Sequence, residues 1–161
     1  MDELHQQRLA ALKKVTTPFA IFLDDTDCIP DDIPITKIEA DLARNGIVHF
    51  DTLVAHNGKH HLMQGDNWSA DWHRAHPTAI HNAVISMNRL ETVFSQIPHG
   101  LFWTEFVLYF ALAHTAGSVY IPLIGYHWNP TNGMHQHSSI HMAIKNSVQW
   151  SKVFEKSNPS F

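Results

Sequence analysis

Apolar positions along the chain change their spacing several times, and each change marks an element. Leu4, Leu9 and Leu12 stand among helix formers over residues 2–14, and Lys13 and Lys14 close the segment where they favour the helix dipole. That pattern predicts a short amphipathic helix. Thr16-Thr17-Pro18 stops it, and Phe19-Ala20-Ile21-Phe22-Leu23 follows as a continuous apolar run, the signature of a strand buried on both faces. A second helix is predicted over 35–44, closed by Asn45-Gly46 as a left-handed stop. Residues 47–55 alternate loosely through Val48, Phe50 and Leu53 and read as a strand, and Asn57-Gly58 turns it back into a hairpin partner at 60–63. The polar stretch 64–78, which carries Trp68 and Trp72, reads as a long surface loop, and loops of that length tend to be functional. Residues 79–87 form a predicted strand, with Asn88 capping a short helix over 89–95. Thr104 is a good N-cap for a helix over 105–115, and Gly117 lies just past its end. An apolar strand over 119–126, a polar loop through 137 and a last helix from Ser138 to about 154 complete the order. The alternation predicts an α/β fold, a single layered domain over 1–156 with a mixed sheet flanked by helices. A loose tail is expected over 157–161.

Composition narrows the function classes. The 161 residues are 44% apolar and 16% charged, which suits a globular chain that can bury a core without staples. Net charge is -4 with histidine neutral, and lysine and arginine are scattered, so no basic face for nucleic acid is visible. Cys28 is the only cysteine, which excludes a disulfide framework and a thiolate zinc site. The opening residues lack the apolar core of a secretory signal. The most apolar stretch, 101–125, is interrupted by Glu105, His114, Gly117, Ser118 and Pro122, so no membrane span is expected and the cytoplasm is the expected compartment. Histidine is the unusual entry, with 14 copies against 11 lysines and arginines together. It is both a common metal ligand and the side chain that titrates near neutral pH.

The densest candidate chemistry is Asp24-Asp25-Thr26-Asp27, at the end of the apolar run. Three carboxylates in four positions repel one another, and a cation among them keeps each ionised more easily. Oxygen ligands of this kind suit Mg²⁺ or Mn²⁺, which bridge one or two carboxylates to substrate phosphates. The alternative is a solvated acidic turn leading into Asp31-Asp32.

The run QQRLAALKKVTTPFAIFLDDTDCIPDD resembles the centre of GT-A glycosyltransferases, especially the family 2-like group. There, an Arg-bearing helix leads into a hydrophobic strand ending in a D-x-D motif, often followed by a proline. Asp25-Thr26-Asp27 with Pro30 matches this, and Asp24 offers a second register. Downstream, TEFVLYFALAHTAGSVYIPLIGYHW resembles the family's acidic residue at a helix start, followed by a glycine and a strand. Glu105 matches half of the motif's acidic pair, and Phe106 stands where the second carboxylate belongs. The resemblance implies that Asp24, Asp25 and Asp27 bind the donor and its Mn²⁺ or Mg²⁺, and that Glu105 is the base for an acceptor hydroxyl. It also implies that a histidine beyond the last strand, His135 or His137, completes the metal shell. Trp68, Trp72 and Trp103 offer stacking faces for a sugar or base. The implied activity is glycosyl transfer from a UDP- or GDP-linked sugar, with inversion as the implied outcome, to an acceptor that the sequence does not name.

The resemblance covers roughly 5–140 but begins in the middle of the family's domain, so the chain is expected to be truncated at its N-terminus relative to the family. The strands that hold base and ribose would come from a partner chain or a second copy, be rebuilt by later segments, or be lost. Two other classes stay open: a hydrolase or oxygenase using His60, His61, His135 and His137, and a non-catalytic transferase-like binding domain.

Overall fold

The computed structural model describes residues 2–56, 58–78, 80, 82–129 and 138–159. Its organising element is β2 (Ile47–His56), which has neighbours on both flanks. On one flank β5 (Ser118–Trp128) runs parallel to it, from Ile47 opposite Ser118 to Val54 opposite Trp128. The other flank is shared: β4 (Ala83–Ser86) pairs antiparallel with residues 47–49, and β3 (Lys59–Met63) pairs antiparallel with 52–56. A two-residue β1 (Phe19–Ala20) adds to the far side of β4. The result is a five-stranded mixed sheet flanked by helices, the α/β architecture that the alternation of patterns implies.

The alternation along β2 sorts the layers. Val48 and Phe50 face α2 (Ile35–Leu42), packing with Ile38, Leu42 and Ile121. Ile47 faces the larger core around α5 (Thr104–Ala116), where Phe106, Leu108, Phe110 and Leu112 are all buried. A helix apolar all round must be central, and α5 is so: α1 (Asp2–Leu12), α4 (Met87–Val93) and α6 (Ser138–Ser157) each pack against it. Each fully buried side chain of this kind stabilises the fold by roughly 1.5–3 kcal/mol. No helix among the described residues is long and apolar enough to cross a membrane.

Several expectations are corrected. The apolar run 19–23 is not a strand buried on both faces. Only its first two residues pair, Leu23 is 51% exposed, and the carbonyl of Phe22 is taken by the Asn82 side chain instead of a ladder partner. Gly46 is not a left-handed stop. It is needed because a Cβ there would lie 2.6 Å from the Leu112 carbonyl oxygen, where β2 enters against α5. The stretch 64–78 contains a helix, α3 (Ala70–Ala75), started by Ser69, whose hydroxyl accepts from Trp72 N at 3.1 Å. Of the strand predicted over 79–87, residues 79 and 81 lie outside the described residues, and β4 ends at Ser86 because α4 begins at Met87, with Asn88 inside that helix. Thr104 gives its hydroxyl to His5 rather than to a cap, and the helix starts there without one. At the C-terminus, α6 extends through Ser157. Asn158 is fastened by a 2.8 Å bond to Gln96 and by the His114 ring nitrogen donating to its carbonyl, while 160–161 of the expected tail lie outside the described residues.

Candidate functional site

The acidic turn closes on itself through Asp27 N donating to the Asp24 carbonyl at 3.0 Å. It is then stitched to the carboxyl end of β5. Cys28 and His127 exchange backbone hydrogen bonds of 3.1 and 2.9 Å, and Thr26 Oγ1 donates to the Asn129 carbonyl at 2.8 Å. Asn129 returns two bonds, from its side chain to the Thr26 carbonyl at 2.6 Å and from its backbone N to Asp27 Oδ1 at 2.8 Å. The turn thus stands outside the carboxyl end of a strand, where ligands collect in open α/β sheets.

Its three carboxylates have different environments. Asp25 is exposed and makes no hydrogen bond or ion pair among the described residues. Asp27 is buried, with Tyr126 donating its hydroxyl to the second oxygen. Asp24 pairs with Arg8 at 2.8 Å. The same guanidinium binds Glu105 through its other nitrogen, so Arg8 bridges the turn and the first turn of α5. Burial alone would lower the pKa of Arg8, but the charges of Glu105 and Asp24 outweigh it and the net shift is upward. Beneath lies a neutral polar layer: Tyr109 donates to Asn82 at 3.3 Å and accepts from Ala83 N at 3.2 Å. Burial first, then Glu105 for Tyr109 and Asp27 for Tyr126, raise both phenols, so both remain donors.

Asp24, Asp25, Asp27 and Glu105 are therefore brought to one locality. The two tryptophans are not equivalent to them. Trp68 packs its ring against Phe110 and His114 in T-shaped contacts and gives its N–H to His73, so its ring is engaged with the core and its donor is in use. Trp103 precedes α5, half-buried against the main core, with its backbone N on Ser147 Oγ at 2.9 Å. His135 and His137 lie outside the described residues. His60 and His61 are consecutive in exposed β3 and so point to opposite faces. Among the described residues, no three His, Cys, Asp or Glu side chains converge to hold a metal ion. The oxygen set still fits a hard divalent cation that takes one or two carboxylates and leaves other positions open. Asp25 is uncommitted, and each Asp27 oxygen accepts one bond where two lone pairs exist.

Sequence reasoning missed Arg8, Asn82, Tyr126 and Asn129 as parts of this site. Arg8 had a signal, since its helix belongs to the pattern leading into the acidic run; the others sit in apolar or turn contexts that gave none.

A second polar cluster lies between β2 and α3. His49, fully buried, has its Nε2 on the Asp66 carbonyl at 2.9 Å, and its Nδ1 is buried with no hydrogen-bond partner. His73 accepts from Trp68 Nε1 at 2.8 Å. Burial lowers the pKa of both, with His73 pushed down to about 3 by burial and then by His49 and Arg74. Comparison with known protein families finds no match to this sequence, and no curated protein matches it.

Proposed function

We propose that this chain carries the metal–diphosphate site of a glycosyltransferase that moves a sugar from a nucleotide-sugar donor to an acceptor hydroxyl. One observation carries the reading: Arg8 joins the acidic turn to Glu105, so the donor-binding carboxylates and the candidate base share one locality. Asp25 and Asp27 would hold Mn²⁺ or Mg²⁺, with Asp24 beside them. When bound, such a cation supplies neutralisation of the charge that develops on the departing diphosphate. Asp27 is oriented by Tyr126 and Asn129, which keeps one carboxylate aimed while Asp25 stays exposed and uncommitted among the described residues. Glu105 would take the proton of the acceptor hydroxyl. Arg8 takes its Oε1, so the acceptor hydroxyl would meet Oε2 or displace that pairing.

That same pairing favours a second reading, a transferase-like domain that binds a donor without turning it over. For either reading, the outer edge of β5 is paired only at His127 among the described residues, and strands from a partner chain or a second copy would add there. The cytoplasm is the proposed compartment, in keeping with a single unpaired cysteine.

Calorimetric titration with UDP and GDP, with and without Mn²⁺, tests the site. Metal-dependent binding that disappears in Asp25→Asn supports it; absence of binding under every condition rejects it. Release of sugar from a bound donor to acceptor hydroxyls, lost in Glu105→Gln, separates transferase from binding domain.

A further inference from the structure

The segment 65–76, which includes α3, is held by two groups that tolerate no proton: His49 ties it to β2, and His73, bonded to Trp68 within the segment, braces it against α5. The Asp66 carbonyl can only accept, so His49 carries its proton on Nε2 and presents a bare Nδ1 to a buried space that holds no partner among the described residues. The Trp68 indole can only donate, so His73 must accept on Nδ1 and carry its proton on Nε2. A proton added to His49 Nδ1 creates a buried N–H without an acceptor. A proton added to His73 Nδ1 sets one donor against another and breaks the bond to Trp68.

We propose that residues 65–76 form an acid-released latch, closed while His49 and His73 are neutral and opened by their protonation while the sheet stays folded. The surroundings offer little to hold the charged forms. From β2, Asp51 accepts from Gly65 N at 2.8 Å and from Tyr120 OH of β5 at 2.6 Å, both on one oxygen. Tyr120 itself stacks on His49 at 5.4 Å. The strap contributes Asp66, which offers His49 its carbonyl. On α3, Arg74 carries a like charge beside His73 and is itself committed to Glu155 of α6 and to Asp71. Facing from α5 are the Phe106 ring, edge-on to His73 at 4.4 Å, then Phe110, with His114 farther along against Trp68. Opening therefore lets both imidazoles reach water and uncovers the Phe106–Phe110 side of α5.

The ordinary histidine pKa sets the upper limit of the window: the latch is fully closed above about pH 6.5 and weakens as pH falls below it. Amide hydrogen exchange of the full chain between pH 7.5 and 4.5, expressed as protection factors, tests this. Protection over 65–76 should fall by about tenfold per pH unit for one imidazole and up to about a hundredfold for two, while amides of β2 and β5 keep theirs. His49→Gln/His73→Gln, whose side chains can still donate to Asp66 and accept from Trp68, should flatten the response. A pH-independent strap, an equal fall in the double variant, or a parallel loss of protection in β2 and β5 would overturn the proposal. Wild-type imidazole ¹⁵N spectra provide the check that needs no variant. Neutral Nε2–H tautomers at both sites while the strap is protected are expected, and an imidazolium at either site in the protected state overturns it.

Discussion

At the acidic turn a guanidinium sits between two carboxylates, and a third carboxylate is held by a phenol and a backbone N–H. In the strap, two imidazoles lie among indole, phenyl and phenol rings, and among the described residues neither is hydrogen-bonded to a carboxylate, the nearest negative charge being Asp51 beside His49. Both regions take titratable groups out of water, and they meet the desolvation cost in opposite ways. The turn keeps its charges and pairs them; the two imidazoles of the strap discard theirs and rely on neutral hydrogen bonds. It follows that the turn is damaged most by removing a partner, and the strap most by adding a proton.

The largest effect should come from Arg8→Ala. Glu105, with a side chain only 7% exposed, is then a buried carboxylate without its cation, and the loss expected is about 3–5 kcal/mol by urea unfolding at pH 7. Adding Glu105→Gln to that variant should restore a large part of the loss, because the orphaned charge is gone. If the single variant costs less than about 1 kcal/mol, the pairing in the turn is not what holds Glu105, and the contrast with the strap collapses.

The strap should respond to pH instead. The pKa of His73 is lowered in the folded protein, so the unfolded or opened state binds the proton first. Stability is then complete above about pH 6.5 and declines as pH falls toward about 3. Between pH 6.5 and 4.5, His73 alone should cost the closed strap about 2 kcal/mol, read from native-state exchange in low denaturant. His73→Gln should remove that slope while leaving the Arg8→Ala loss unchanged, because the two regions share no hydrogen bond or ion pair among the described residues.

Within the turn, Asp27→Asn sharpens the comparison further. Asp27 accepts from Tyr126 on one oxygen and from Asn129 N on the other. An amide can keep the bond from Asn129 N on its oxygen, but its nitrogen then faces the Tyr126 hydroxyl, which must turn round to accept, and the bond to a charged acceptor is lost, so a loss of about 1–3 kcal/mol is expected in thermal or urea unfolding. The strap's exchange should not change.

The elements with long, regular patterns were legible: the hairpin pairing of 52–56 with 59–63, the strand 119–126 and the apolar helix from 105 all stand close to where their spacing put them, although Asn57 of the expected turn lies outside the described residues. The run 19–23 was not, because apolarity alone cannot reveal that Asn82 takes the Phe22 carbonyl and stops the ladder. Helix α3 was hidden for a related reason. Its sequence is polar, and what it buries is His73 and the flank of Trp72, residues that a hydropathy pattern counts as surface. For the site, the clustering of Asp24, Asp25 and Asp27 was visible in one short stretch. Its connection to Arg8, Asn82 and Tyr126 depends on contacts between distant segments that no local spacing encodes.

The smallest effect on stability should be the most informative about function. Asp25 is exposed and makes no hydrogen bond or ion pair among the described residues, so Asp25→Asn should leave the unfolding free energy within about 0.5 kcal/mol of wild type. Its neighbours on either side of the motif are held by protein partners, and Asp25 alone has its whole coordination capacity uncommitted. If the turn takes Mn²⁺ with a nucleoside diphosphate, the metal-dependent part of UDP or GDP binding should vanish in this variant while the fold, the strap and the Arg8 pairing stay intact. Unchanged metal-dependent binding would move the ligand set elsewhere in the chain, with the turn then left as a solvated corner whose charges serve only to anchor α1 and α5 to the end of β5.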